Sequence, residues 1–168
     1  VCDVVCNDAR VEAVVLTSKS GMFAAKAKIY IDCTGDGDLC ALGGGKFEIG
    51  DDDNCVMPGT LCSLWANIDD DKVGSYQGEF IEQAYDDGVF TFKDRHLPGM
   101  YFRRNSIAGG NIGHLFGLNP LDERSLTDAM IWGRQSVLEY EKYYKNYLEG
   151  YENMILCSTA AVPGVRES

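Results

Sequence analysis

From Arg10 to Ser18 the run R-V-E-A-V-V-L-T-S is rich in β-branched residues and partly alternating, and Lys19-Ser20-Gly21 follows as a turn signal. The pattern predicts a strand and a hairpin loop. Met22 to Asp32 sets Ala24, Ala25, Ala27, Ile29 and Ile31 against two lysines, then turns continuously apolar toward its end, which predicts a second strand pairing back on the first. Cys33 to Asp38 breaks the pattern with two glycines and two aspartates. Leu39-Cys40-Ala41-Leu42 ahead of Gly43-Gly44-Gly45 then predicts a short helix with a glycine stop. Gly59 to Ile68 reads as a strand, with Leu61, Ser63, Trp65 and Asn67 on one face and Cys62, Leu64, Ala66 and Ile68 on the other.

Between Tyr76 and Asp87 the apolar positions Phe80, Ile81, Ala84 and Tyr85 recur at helical spacing, with Gly88 closing the segment. Met100 to Arg103 and Asn111 to Gly117 are short apolar pieces among glycines and basic side chains, read as strands lining a cleft. The clearest element is a long helix over about 125–149, where Leu126, Met130, Gly133, Val137, Tyr140, Tyr144 and Tyr147 make one stripe at three- and four-residue steps. Ser125-x-x-Asp128 resembles a capping box, and Gly150 is placed to end the helix. Met154 to Ala161 returns to a strand pattern. No internal repeat or low-complexity linker interrupts the chain.

At 168 residues with 45% apolar content, the chain is long and apolar enough to bury a core. Its net charge of -11 repels nucleic acid and anionic membrane surfaces. No apolar run approaches the roughly 20 residues of a membrane span, and Val1 to Arg10 lacks the basic start and apolar core of a signal peptide, so the expectation is a cytoplasmic protein. Val1 opens inside a β-like pattern and Arg166-Glu167-Ser168 follows directly on an apolar run, so both ends read as cuts with further chain on either side. Seven cysteines, at 2, 6, 33, 40, 55, 62 and 157, form an odd set lying mostly in apolar stretches, which fits reduced thiols packed as small hydrophobes. No metal site follows from them, because Cys-x-x-Cys pairs are absent.

The sharpest chemical feature is Ile29-Tyr30-Ile31-Asp32-Cys33-Thr34-Gly35-Asp36-Gly37-Asp38, an apolar strand delivering a glycine-aspartate turn into a short helix. The two glycines let a dinucleotide come close to the backbone, the helix would offer unpaired N–H groups, and Thr34 and the aspartates add hydrogen-bonding groups for ribose or water. A plain surface turn fits the same spacing. So does a noncatalytic alternative, a calcium-binding β-rich interaction module using the acids at 32, 36 and 38, although the EF-hand spacing is not met. Gly43-Gly44-Gly45-Lys46 is followed by Phe47, not a hydroxyl, so no phosphate loop is present. His96 and His114, with Arg103-Arg104 between them, are candidates for a proton donor and a clamp on a carboxylate or carbonyl substrate. Trp65 and Trp132 sit in periodic elements and are read as packing residues.

The stretch I-D-C-T-G-D-G-D-L-C-A-L-G-G resembles the hallmark turn of FAD-dependent oxidoreductases related to the flavin subunit of heterodisulfide reductase. Lys19-Ser20-Gly21, Leu126-Thr127-Asp128-Ala129 with Gly133-Arg134-Gln135, and Pro163-Gly164-Val165-Arg166-Glu167-Ser168 are similar to further family segments, in order, over about residues 10–168. Cys33 stands where the family has alanine, and Ser168 where it has threonine. The family's Gly-x-Gly-x-x-Gly turn for the FAD pyrophosphate does not occur in this sequence, nor does its later glycine-aspartate strand.

The resemblance implies an α/β (α+β) fold: part of a Rossmann-like FAD-binding domain at 1–50, a mixed-sheet substrate or cap segment at 51–150, and a return strand to the FAD domain at 151–168. It implies FAD held in part by Thr34, Gly35, Asp36, Gly37 and Asp38. Arg166 and Glu167 would approach the flavin or substrate, with His114 as a further catalytic candidate and an Arg166–Glu167 ion pair as the alternative. The implied function is flavin-mediated hydride or electron transfer on a small molecule, with an electron-transfer partner protein, by an enzyme of which these residues alone would be inactive. Relatives are often associated with a 4Fe-4S iron-sulfur cluster, whose ligands would lie outside this sequence.

Overall fold

Three strands form an antiparallel meander in the computed structural model: β1 (Asp3–Asn7), β2 (Arg10–Ser18) and β3 (Gly21–Ala25), in the order β1-β2-β3. The structure describes residues 1–51, 55–94 and 99–165, with the backbone but not the side chains of 102–104. The β2 strand has the bounds its β-branched pattern predicts, and Gly21, at φ +114, takes the conformation that the hairpin into β3 requires.

The second strand, expected to run to Asp32, stops at Ala25. Since Val14 pairs with Ala25, the register would next bring Ala27 opposite Glu12. Instead the hydroxyl of Tyr30 stands between them, accepting from Ala27 N and donating to Glu12 O, both at 2.9 Å. A side chain has replaced a ladder bond, and Ile29 and Ile31 beyond it are 77% and 78% exposed. A five-residue helix, α1 (Asp38–Leu42), follows and is closed by Gly43.

The chain divides into two compact units, Val1–Ile49 and Gly50–Ser168. The second holds a four-stranded sheet in the order β5-β6-β4-β7, made of β4 (Ser63–Ala66), β5 (Met100–Arg104), β6 (Ile107–Gly110) and β7 (Ile155–Thr159). The α+β class expected from the sequence is observed, but every pairing in the described sheets is antiparallel where a mixed sheet was expected. The segment 151–168, expected to return to the first domain, supplies β7, which is hydrogen-bonded along β4 in the second unit. Asn105 and Ser106, both at positive φ, form the two-residue turn joining β5 to β6.

Along 61–65 the expected alternation holds, with Leu61, Ser63 and Trp65 buried and Cys62 and Leu64 exposed. Asn67 adopts φ +62 and shifts the phase by one residue, so Ile68 is buried and Asn67 is not. Residues 111–117 are not a strand; Gly113 at φ +75 breaks the extended run, leaving an isolated bridge between Leu115 and Gly59.

The helix α2 (Ile81–Asp86) occupies the second half of the segment 76–87 predicted for it, burying Ile81, Ala84 and Tyr85. The long helix α3 (Glu123–Tyr147) buries Gly133, Ser136, Val137, Tyr140, Tyr143 and Tyr144 against a core that includes Trp65, Ile68, Met100, Ala108, Ile112, Tyr151 and Met154. Its cap is Asp122, not Ser125: the Asp122 carboxylate accepts from Arg124 N at 2.8 Å and Ser125 N at 3.3 Å. Ser125 Oγ instead accepts from Asn119 N at 2.9 Å, so the capping box read from the sequence is displaced by three residues.

Tyr85, Tyr143 and Tyr144 can be buried because their hydroxyls find partners. Gln77 accepts from Tyr143 at its backbone oxygen, 2.8 Å, and from Tyr144 at Oε1, 2.6 Å, and it pairs with both backbone groups of Met100. Burial pushes the Tyr143 hydroxyl up to about 12, and that of Tyr140 in the same direction. The cysteines do not pack as small hydrophobes: all seven are unbridged and exposed, Cys6 and Cys157 on strands, Cys40 on α1 and the others in loops.

Candidate functional site

Asp32 builds the turn that the sequence singles out. Its Oδ1 accepts from Thr34 N at 3.0 Å and Thr34 Oγ1 at 2.7 Å, and its Oδ2 accepts from Cys40 N at 2.8 Å. Thr34 Oγ1 in turn accepts from Asp38 N at 2.8 Å. One carboxylate and one hydroxyl thus tie the end of the apolar run to the first turn of α1. Those bonds, led by the Thr34 backbone N–H, hold the Asp32 carboxyl down to about 2. The same carboxylate pushes the neighbouring Cys40 thiol up, which disfavours its thiolate.

The two glycines of the turn are required by conformation. Gly35 sits at φ +98 and Gly37 at φ +76, where an L side chain would be strained, and a Cβ at either would meet nothing within 4 Å. Thr34, Gly35, Asp36 and Asp38 are exposed, and Gly37 is half-buried. The N–H groups expected to be open at the start of α1 are in part already used, since Asp38 N and Cys40 N serve Thr34 and Asp32. With carboxylates at 32, 36 and 38 the turn repels phosphate and suits hydroxyl donors.

The calcium alternative would need Asp32 as a ligand, yet both its oxygens are engaged by Thr34 and Cys40. Among the described residues no group of three or more His, Cys, Asp or Glu side chains is arranged to hold a metal ion.

His114 belongs to a second constellation, in the Gly50–Ser168 unit. The sequence shows no partner for it, but Nδ1 lies 2.6 Å from Asp94 Oδ2, with the histidine side chain 16% exposed and the aspartate 8%. Gly113 before it meets the core so closely that a Cβ would come within 2.8 Å of Ser136 Oγ and Tyr140 Cε2. Around the histidine the backbone is held on three sides: Thr60 Oγ1 donates to Gly113 O at 2.7 Å, Trp132 Nε1 to His114 O at 3.4 Å, and Leu115 N to Gly59 O at 2.8 Å. The ring lies 5.4 Å from that of Phe116, which is 5.2 Å from Phe92, and both phenylalanines are half exposed.

Asp94 is held as well. Its backbone oxygen accepts from the Tyr85 hydroxyl, and the loop carrying it is tied to α3 through Thr91, whose N and Oγ1 donate to the Glu139 carboxylate. Asp32 and Asp94, the organisers of the two sites, were not singled out as such from the sequence. For Asp32 a signal exists, since Asp-x-Thr is an Asx-turn pattern; for Asp94, twenty residues from its partner, none does.

Arg166 and Glu167 lie outside the described residues, as does His96, and the side chains of Arg103 and Arg104 are not described. No described helix is long and apolar enough to cross a membrane.

No curated protein and no solved structure matches this chain. A family model described as FAD dependent oxidoreductase matches residues 1–168, taking in the aspartate-clamped turn and the buried histidine–aspartate pair alike. Since that match covers every residue of both units, the chain belongs to the FAD dependent oxidoreductase family.

Proposed function

We propose that residues 34–38 lie along the hydroxyl-bearing part of FAD and that the protein carries out flavin-mediated hydride or electron transfer on a small molecule. The observation that carries this reading is the Asp32 clamp. It holds a double-glycine turn in an open, left-handed conformation with nothing within 4 Å of where a Cβ would stand, as an approaching cofactor requires. Carboxylates on the turn favour ribityl and ribose hydroxyls, while the pyrophosphate is left to other residues. FAD supplies the redox chemistry when bound; the chain positions it and handles charge and protons.

On this reading Arg166 and Glu167 face the flavin or substrate, the guanidinium offering fixed positive charge, and His114 exchanges a proton with the substrate. The narrower kinship with the flavin subunit of heterodisulfide reductase rests on I-D-C-T-G-D-G-D and P-G-V-R-E-S. It would bring with it an electron-transfer partner protein and a 4Fe-4S cluster in the full-length protein, while the cytoplasmic location is proposed from the sequence, which shows no signal peptide or apolar span. The exposed, scattered cysteines favour cluster ligands from elsewhere in the assembly.

The test is flavin absorbance of the full-length protein as purified, with and without Asp32→Asn. The wild type is expected to be yellow, and the variant to hold FAD about tenfold more weakly, about 1.4 kcal/mol. A colourless wild type, or a variant that binds FAD as tightly, overturns the assignment of the turn.

A further inference from the structure

We infer that Asp94 is a positioning residue for His114: it holds the proton of the neutral imidazole on Nδ1, so that Nε2 is the basic nitrogen and the ring has one orientation. This rests on the reading that His114 exchanges a proton with the substrate. A carboxylate only accepts hydrogen bonds, so at 2.6 Å from Asp94 Oδ2 the nitrogen that donates is Nδ1. In a neutral imidazole the other nitrogen then carries the lone pair.

A packing histidine could meet a carboxylate by chance, but here both partners are fixed independently of each other. Gly113, at φ +75 and packed too tightly for a Cβ, sets the chain direction into His114, and Thr60, Trp132 and Gly59 fix the peptide groups around it. On the other side the Tyr85 hydroxyl binds the Asp94 backbone, and Glu139 holds the loop that leads to it. The pair therefore costs little further ordering when the ring is used, which is what a preorganised acid–base group requires. A carboxylate that is 8% exposed is screened little by water, so its preference for a donor at Nδ1 is strong. Burial is graded along the constellation: Asp94 is covered, the His114 ring is 16% exposed, and Phe92 and Phe116 are each 50% exposed. Exposed apolar ring surface beside the imidazole suits a small molecule with a flat apolar body.

The decisive measurement is the nitrogen-15 spectrum of the full chain with labelled histidine, taken where the ring is singly protonated and assigned with His114→Gln. The expected pattern is a protonated Nδ1 and a bare Nε2. Asp94→Asn, whose amide can donate to the ring, is expected to move the proton to Nε2, and Asp94→Glu to restore the wild-type pattern. A wild-type ring protonated on Nε2 overturns the proposal without recourse to any variant. So does an Asp94→Asn spectrum unchanged from wild type in a chain that keeps its melting temperature. If the nitrogen pattern is as expected but His114→Gln turns over at the wild-type rate in the full-length enzyme, the proton-transfer part is overturned. Failure of the flavin reading shows separately, as an absence of bound FAD that leaves the nitrogen pattern standing.

Discussion

Asp32 shows how much one short side chain can organise when it accepts from several donors at once. Its bonds join positions 34 and 40, and through Thr34 also 38, so the turn depends on the carboxylate staying ionised. Folding holds its carboxyl at about 2, below the ordinary 3.8, and a group depressed in the folded state stabilises above its unfolded value and loses that contribution as pH falls. The turn is therefore expected to be intact at neutral pH, to weaken below about pH 4, and to be lost near pH 2. Protection of the Thr34 and Cys40 amides, taken as exchange relative to an unstructured chain at the same pH from pH 6 downward, reads this directly; protection that persists at about pH 2 would mean that the carboxylate is not what holds those amides. The double-glycine turn was legible in the sequence because glycine and aspartate are themselves the signal. The clamp beneath it was legible only in part: Asp32-x-Thr34 is an Asx-turn pattern, but the bond from Cys40 N, eight residues on, has no local signal.

Among the elements, the long helix was the most legible, because seven turns of periodic burial leave a stripe that no other structure would need. Its inner face still departs from the stripe: Tyr143 and Ser136 are buried, and Leu126, Met130 and Tyr147 are only half-buried. Tyr143 and Ser136 meet Gln77 and Gly113, loop residues outside the helix that leave no periodic trace. The start of the helix slipped for a related reason. Ser125 and Asp122 are both good caps, and Asp122 takes the role while the Ser125 hydroxyl satisfies Asn119 N. Asp122→Ala is expected to lower stability by about 1 kcal/mol, the usual value of an N-cap, while Asp128→Ala, which removes the other half of the box read from the sequence, leaves it within about 0.5 kcal/mol. Urea unfolding of the two variants distinguishes them, and a larger loss at Asp128 would restore the Ser125 cap. The second hairpin strand failed at Tyr30 in the same manner, where a hydroxyl took a place that backbone pairing alone would have filled.

At the scale of the whole molecule, apolar burial is shared out unequally between the two units. In Val1–Ile49 the buried apolar side chains are Ala13 and Val14, whereas Met22, Phe23, Ile29, Ile31 and Phe47 are all at least half exposed. Full burial of a side chain the size of Val14 contributes roughly 1.5–3 kcal/mol, little against the entropy of ordering a hairpin and a helix. In Gly50–Ser168, by contrast, one cluster joins α2, α3 and the four-stranded sheet around Trp65 and four tyrosines of the helix and its exit: Tyr140, Tyr143, Tyr144 and Tyr151. Sequence reading could not see this imbalance, because Ile29 and Ile31 look as apolar as Ile68 and Ile112; only the pairing partner each one has, or lacks, sets them apart. Stability should follow burial, so amides of β4 and α3 are expected to exchange only through global unfolding, and those of β1 to β3 by easier local opening. Trypsin should accordingly cut first at Lys19, Lys26 or Lys28 and leave a resistant piece containing residues 50–168. The result that would contradict this is uniform protection across both units, which would require the exposed isoleucines of the first unit to be covered in solution.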